Sequence, residues 1–284
     1  MSDVPDREFD LVLWGATGFT GSLVSHYLAE NTEPPFRWAI AGRNTEKLHE
    51  LRTTLSTRST PAVSTADLNC SESLRELTGR TRVIVSTVGP YARLGTALVA
   101  ACIDTRTDYC DLTGEVPWIR KIIDGYHESA EKQGVRIVHC CGFDSIPSDL
   151  GVLLLHLAAN NQHMVLEEVK LFSAHLRGGV SGGTIASMMG VLDQAREPSV
   201  RRLLGNPYAL DPRPERSGPE RGDPRTVRFD PDLERWTHPF VMAAINSRVV
   251  RRSNALLDFA YGEEFRYSEC SSTHRGFLGW WKAQ

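Results

Sequence analysis

Three glycines spaced three residues apart, Gly15, Gly18 and Gly21, follow the apolar run Leu11 to Trp14 directly. Beyond them Ser22 to Glu30 carries Leu23, Val24, Tyr27 and Leu28 at helical spacing. A buried strand, a glycine turn and a helix opening at the turn let backbone approach a pyrophosphate. The charge of that group then sits against the free N–H groups at the positive helix end. An ordinary strand–turn–helix joint could use the same glycines, and their spacing differs from the commoner G-x-G-x-x-G. Position favours the nucleotide: the motif closes the first strand, and the next strand carries a signal of its own. Gly15, Ala16, Thr17, Gly18, Phe19, Thr20 and Gly21 are therefore the candidate cofactor loop.

That second strand is Arg37 to Ala41, and Gly42, Arg43 and Asn44 follow at once. At this point an acid would accept from the ribose 2′-hydroxyl of NAD, whereas an arginine can pair with the 2′-phosphate of NADP. No acid occurs before Glu46, so Arg43 and Asn44, with Lys47 behind them, point to NADP(H). The competing reading makes Arg43 a solvated residue ahead of an Asn44 or Thr45 helix cap.

Four more strand–helix units follow. The third strand, Ala62 to Ala66, ends at Asp67, either an adenine neighbour or a turn-and-cap residue; Asn69 or Ser71 would cap the short helix beyond. The fourth, Thr81 to Thr87, is β-branched and apolar, as a strand covered on both faces requires. Its exit loop places Thr87, Val88, Gly89 and Pro90 where open α/β sheets hold ligands, with Tyr91 and Arg93 behind them. The fifth exit gathers Tyr109, Asp111, Thr113 and Glu115. A tyrosine can donate a proton and a carboxylate can orient it, which makes Tyr91, Tyr109 and Asp111 the candidate catalytic groups. Asp111 and Thr113 are equally good caps for a helix from Pro117 to Gln133. The sixth strand, Val135 to Cys140, leads to a polar loop in which Ser148 or Asp149 can cap the next apolar helix, Leu150 to Ala159, and Asp144 and Ser145 remain for cofactor or substrate. Alternation of this kind defines an α/β, doubly wound parallel sheet over residues 1–160.

After Asn161 the pattern changes to a second α+β domain. It opens with a strand from Val165 to Leu176, a glycine-rich connection at 177–183 and a helix, Thr184 to Ala195, whose Ile185, Met188, Met189 and Leu192 read as its inward face. Residues 205–239 hold seven of the fifteen prolines and read as an exposed loop or lid; Arg248, Arg251 and Arg252 offer cations for an anionic group, but their pattern favours a solvated face. A net charge of −3 without a basic stripe gives no reason to expect nucleic acid. The six cysteines lack metal-ligand spacing and suit neither zinc nor a disulfide framework, so no metal is expected. The polar N-terminus and the lack of any long apolar run suit a cytoplasmic protein.

Taken together, Gly-Ala-Thr-Gly-Phe-Thr-Gly (15–21), Ala-Gly-Arg (41–43), Thr-Val-Gly-Pro-Tyr (87–91), Asp-Tyr-Cys-Asp-Leu-Thr-Gly-Glu (108–115) and Cys-Gly-Phe-Asp-Ser-Ile-Pro-Ser-Asp (141–149) resemble the saccharopine dehydrogenase-like oxidoreductases, and among them the actinobacterial trans-acting enoyl reductases. Val-Ser-Gly-Gly-Thr (180–184) and the stretch 246–256 extend the resemblance to about Ser268. It implies a Rossmann domain with NADP(H), a second domain over 161–269 that is shortened at its C-terminus, and an atypical tail at 270–284. It also implies reduction of a carbon–carbon double bond in a polyketide-derived lipid or glycolipid precursor, presented by a polyketide synthase. A homodimer and peripheral association with membrane are compatible with it. Amino-acid chemistry like that of saccharopine reductase is the alternative enzyme reading; a catalytically degenerate nucleotide-binding or lipid-associated protein is the non-enzyme one.

Overall fold

The computed structural model describes residues 6–56, 58–173, 182–212, 218–219, 222–273, 275–276, 281 and 283. The chain divides into two compact units, Met1–Cys141 with Ser181–Gly190, and Gly142–Val180 with Val191–Gln284. The division falls at 141/142 rather than near 160, because the helix after the sixth strand packs within the second unit.

The first unit alternates strand and helix: β1 (Phe9–Trp14), α1 (Phe19–Asn31), β2 (Trp38–Gly42), α2 (Thr45–Thr54), β3 (Ala62–Thr65), α3 (Ser71–Gly79), β4 (Thr81–Ser86), the short α4 (Tyr91–Leu94), α5 (Thr96–Thr105), β5 (Asp108–Asp111), α6 (Val116–Gln133) and β6 (Ile137–Val138). All strand pairs are parallel, in the order β3-β2-β1-β4-β5-β6. Val12, Leu13, Ala39, Ile40, Ala41 and Ile84 have 0% exposure. Strands covered on both faces read as apolar runs, and for that reason they are visible in the sequence. The strand order reverses between β1 and β4, and ligands of open α/β sheets sit outside the carboxyl ends at such a point. This is a Rossmann-type sheet.

Local chemistry moves several boundaries. α1 starts at Phe19 with Gly18 as its N-cap, three residues ahead of the expected start, so the helix end itself abuts the glycine turn. Cys70 rather than Asn69 or Ser71 holds the N-cap position of α3, with no capping side chain. Glu115, not Asp111 or Thr113, precedes α6. Regular pairing in β6 shrinks to two residues.

The second unit comprises α7 (Ile146–Asn161), β7 (Glu168–Ser173), the end of α8 (Gly182–Gln194), α9 (Pro198–Gly205), β8 (Arg228–Asp230), β9 (Arg235–Pro239), α10 (Ala243–Leu256) and β10 (Arg266–Ser272). Its sheet runs β7-β10-β9-β8; β7 is parallel to β10 and the other pairs are antiparallel. Ser148 and Asp149 lie inside α7 rather than capping it. The glycine-rich connection lies largely outside the described residues, as does part of the tail.

Three expectations are corrected here. Ile185, Met188, Met189 and Leu192 of α8 are exposed by 48–69% rather than inward. The less exposed side of α8 is Ser187, Gly190, Val191 and Gln194. Residues 205–239 are not one exposed loop: Tyr208, Ala209 and Leu210 are buried, and β8 and β9 form a hairpin. The α10 arginines are internal. Arg248 donates to the carbonyls of Asn206, Leu204 and Ala244, Arg251 to those of Pro207 and Tyr267, and Arg252 to that of Leu210. Guanidinium forks thus satisfy the carbonyls of an irregular segment that has no ladder to bond to.

Val152, Val169, Val250, Tyr261, Phe265 and Tyr267 form the core beneath this sheet. Within it the fully buried Glu269 accepts from the Tyr267 hydroxyl and from Asn246 Nδ2 at 3.0 Å. Glu269→Ala would remove this acceptor from both donors, and the Asn246 N–H left buried without it costs about 1–3 kcal/mol. The variant is expected to lose about 2–4 kcal/mol in urea unfolding of the second unit. Unchanged unfolding midpoints would contradict that assignment.

Candidate active site

The loop after β1 is built from its backbone. Gly15 turns at φ +88, and a Cβ there would lie 2.3 Å from Val88 Cγ2. Its N–H donates to the Ala41 carbonyl at 2.9 Å, and the Gly18 N–H donates to the Gly15 carbonyl at 3.0 Å. Gly21 seats α1 on this turn: a Cβ there would come within 2.2 Å of the Gly15 oxygen and 2.8 Å of Ala16 Cα. At Gly18 a Cβ would meet only the Gly15 oxygen, at 3.3 Å, so the space in front of the helix is open. No side chain caps α1 and no acid stands in its first turn. Thr17, Gly18 and Phe19 form the exposed crest, Thr20 is half-buried and Ala16 is buried. An uncapped helix end in an open glycine cradle fits a pyrophosphate.

Arg43 stands exposed just beyond β2, with no ion-pair or hydrogen-bond partner among the described residues. Asn44 Oδ1 accepts from the Lys47 N–H at 2.9 Å as the cap of α2, which leaves its amide group to reach outward. The Asp67 carboxylate is exposed and accepts from Asn69 N and Nδ2, closing a turn before α3. Asp67 lies two residues past β3, the edge strand of the sheet.

At the end of β4, the Thr87 hydroxyl faces the carbonyls of Trp14 and Gly15 at 3.1 and 3.2 Å, and its N–H donates to Trp14. Thr87 and Val88 therefore clamp this exit onto the β1 turn, and Gly89 and Pro90 continue from the clamp.

The candidate catalytic groups lie inside the protein. Tyr91 is 5% exposed; its hydroxyl donates to the Ser86 carbonyl at 3.0 Å and accepts from the Leu112 N–H at 3.4 Å. Burial first, then the Asp111 charge, raises its pKa. Tyr109 is 1% exposed, with its ring 6.2 Å from that of His139, and burial and then Asp111 raise its pKa as well. Asp111 is fully buried: Oδ1 accepts from the N–H groups of Thr113 and Cys140, and Oδ2 lies 2.7 Å from His139 Nδ1. Tyr91 and Asp111 tie strand ends together, whereas the buried Tyr109 hydroxyl has no hydrogen-bond partner among the described residues. Tyr91→Phe is accordingly expected to lower stability by about 1 kcal/mol and leave the NADPH dissociation constant within about twofold. A large loss of affinity, read by nicotinamide fluorescence, would restore Tyr91 to the site.

The sequence did not single out His139, and it named Glu115 only as one of the polar group at the fifth strand exit. His139, whose ring meets Trp118 edge-on at 5.0 Å, completes a buried pair with Asp111. Glu115, 2% exposed, accepts from the N–H groups of Tyr91 and Ala92, both at 2.8 Å, and from the Ser187 hydroxyl at 2.7 Å. Only their place at polar strand exits hinted at either. Ser145, a candidate ligand contact, donates to Asn246 Oδ1 at 2.8 Å and is buried. No group of three or more metal-ligating side chains occurs among the described residues. The six cysteines, all among the described residues, form no disulfide.

A switch-point cradle with an unpartnered arginine behind the second strand defines a dinucleotide-binding protein of the NADP class. Residues 11–138 match the saccharopine dehydrogenase NADP-binding domain. A Mycobacterium tuberculosis protein named as a trans-acting enoyl reductase is 48% identical over 94% of this chain and 65% of its own length. The trans-acting enoyl reductases of Mycobacterium leprae and Mycobacterium ulcerans are each 42% identical, covering 94% and 95% of this chain and 66% and 67% of theirs. The chain belongs to the saccharopine dehydrogenase-like oxidoreductase family, among relatives that carry the enoyl reductase name. It spans about two thirds of their length.

Proposed function

We propose that the protein is an NADPH-dependent reductase of an activated carbon–carbon double bond in an acyl chain, such as a polyketide-derived lipid precursor held as a thioester. The observation that carries the nucleotide half is the open cradle at Gly15–Gly21 combined with the unpartnered Arg43. In this reading the α1 N–H groups bind the pyrophosphate, and Arg43 with the Asn44 amide holds the 2′-phosphate. Asp67 borders the adenine. Thr87 to Pro90 shape the nicotinamide end. When bound, the nicotinamide would supply a hydride to the β-carbon, and a proton taken up from the medium would complete the α-carbon, giving the saturated acyl chain and NADP+. The chain's own task is to align that transfer and keep water out. The enoyl half draws its support from the names of the relatives. Saccharopine-like amino-acid chemistry would need a cation for a carboxylate, and the α10 arginines that the sequence offered are committed to backbone carbonyls.

The test is NADPH oxidation by the purified chain with an α,β-unsaturated acyl thioester, followed by absorbance, with the saturated product identified by mass. Turnover on an amino acid instead would overturn the acyl assignment. Nucleotide binding without turnover on any acyl thioester would leave a non-catalytic nucleotide-binding protein.

A further inference from the structure

Glu115 and Ser187 belong to no step of the reading above, yet they converge on its cofactor loop. The Glu115 carboxylate is sealed from water, and donors from two other segments point at it. Oε2 accepts from the Ala92 N–H; Oε1 accepts from the Tyr91 N–H and from Ser187 Oγ on α8. Tyr91 follows Pro90 directly, so the carboxylate grips the Val88–Pro90 loop at its far end while Val88 grips the Gly15 turn at its near end. A Cβ on Gly89 would lie 3.5 Å from Ser187 Oγ, so α8 touches the same loop a second time. Glu115 is itself held: its N–H donates to Thr113 Oγ1 at 3.1 Å, and the Thr113 N–H donates to Asp111. A buried carboxylate is stable only while its donors stay in place, since each lost donor leaves charge uncompensated in a medium of low dielectric.

We propose that Glu115 is a positioning residue that ties helix α8 to the cofactor loop at 87–90, so that nucleotide binding and the placement of α8 are one event. The proposal rests on the NADP reading of the loop. α8 has no buried residue of its own, which suits an element whose position is set by a few polar contacts rather than by a core. Coupling of this kind is reciprocal: whatever nucleotide does to α8, losing the α8 contact does to nucleotide affinity.

Hydrogen exchange of the full chain with and without NADP+ tests it. In the unmodified protein NADP+ is expected to slow exchange both at Gly15–Gly21 and across 182–194, the latter by about fivefold. Ser187→Ala should keep the protection at Gly15–Gly21, lose it across α8, and weaken NADP+ binding by the same factor. Glu115→Gln, which turns an amide N–H toward backbone donors, should do the same with a larger loss of affinity. Because Glu115 is buried and its variant could fold poorly, the Ser187 variant decides alone if necessary. Protection of α8 that survives in Ser187→Ala overturns the coupling. So does an α8 indifferent to NADP+ while Gly15–Gly21 responds. No response at either segment overturns the cofactor reading and the coupling with it.

Discussion

Gly21→Ala is expected to lower NADPH affinity by about a hundredfold or more, equivalent to about 2.7 kcal/mol, and to cost fold stability as well. The added methyl group has no room. It would sit 2.2 Å from the Gly15 oxygen and 2.8 Å from Ala16 Cα, and both are backbone atoms that cannot rotate away. Relief requires α1 to back off the turn, and this carries its uncapped N–H groups away from the pyrophosphate they would meet. Overpacking of a tight joint adds about 1–3 kcal/mol of destabilisation. Thermal melting and nicotinamide fluorescence read the two effects separately. Binding within about threefold of the unmodified protein would contradict the cradle geometry.

Arg43→Ala is expected to act on one nucleotide only. Charge-assisted hydrogen bonds contribute about 1.5–3 kcal/mol each, so NADPH affinity should fall by roughly 10- to 150-fold while NADH affinity stays within twofold. The side chain is exposed and without a protein partner, so its removal orphans nothing and stability should not change. The wild-type preference for NADPH should also shrink as salt rises, because the pair is solvent-exposed. Equal losses for both nucleotides would mean that Arg43 serves the loop rather than the 2′-phosphate.

The nucleotide half was legible because its determinants are local. Strands covered on both faces need continuous apolar runs, and a turn that seats a helix end on backbone needs glycine at 15 and 21. Arg43 follows the second strand by two residues. These are all properties of short stretches. The polar strand exits were harder, because a tyrosine or aspartate on a loop looks the same whether it meets a ligand or the next strand. Tyr91 and Asp111 turned inward to bond Ser86, Leu112 and His139, partners that only the parallel sheet brings near. Arg248, Arg251 and Arg252 misled for the reverse reason. A charged helix face reads as solvated unless one knows that carbonyls at 204–210 lie against it. On α8 the apolar stripe was visible, but helical spacing does not say which side meets protein. Small Ser187, not Met188, makes the contact.

The enoyl reductase reading, the Arg43 and Gly21 effects and the coupling through Glu115 all depend on one property, a nucleotide site selective for NADPH. Titration of the unmodified protein with NADPH and with NADH, followed by the fluorescence of bound nicotinamide, measures it directly. NADPH is expected to bind with enhanced emission and about tenfold or more tightly than NADH. Equal affinity, a preference for NADH, or no binding of either nucleotide would contradict the account.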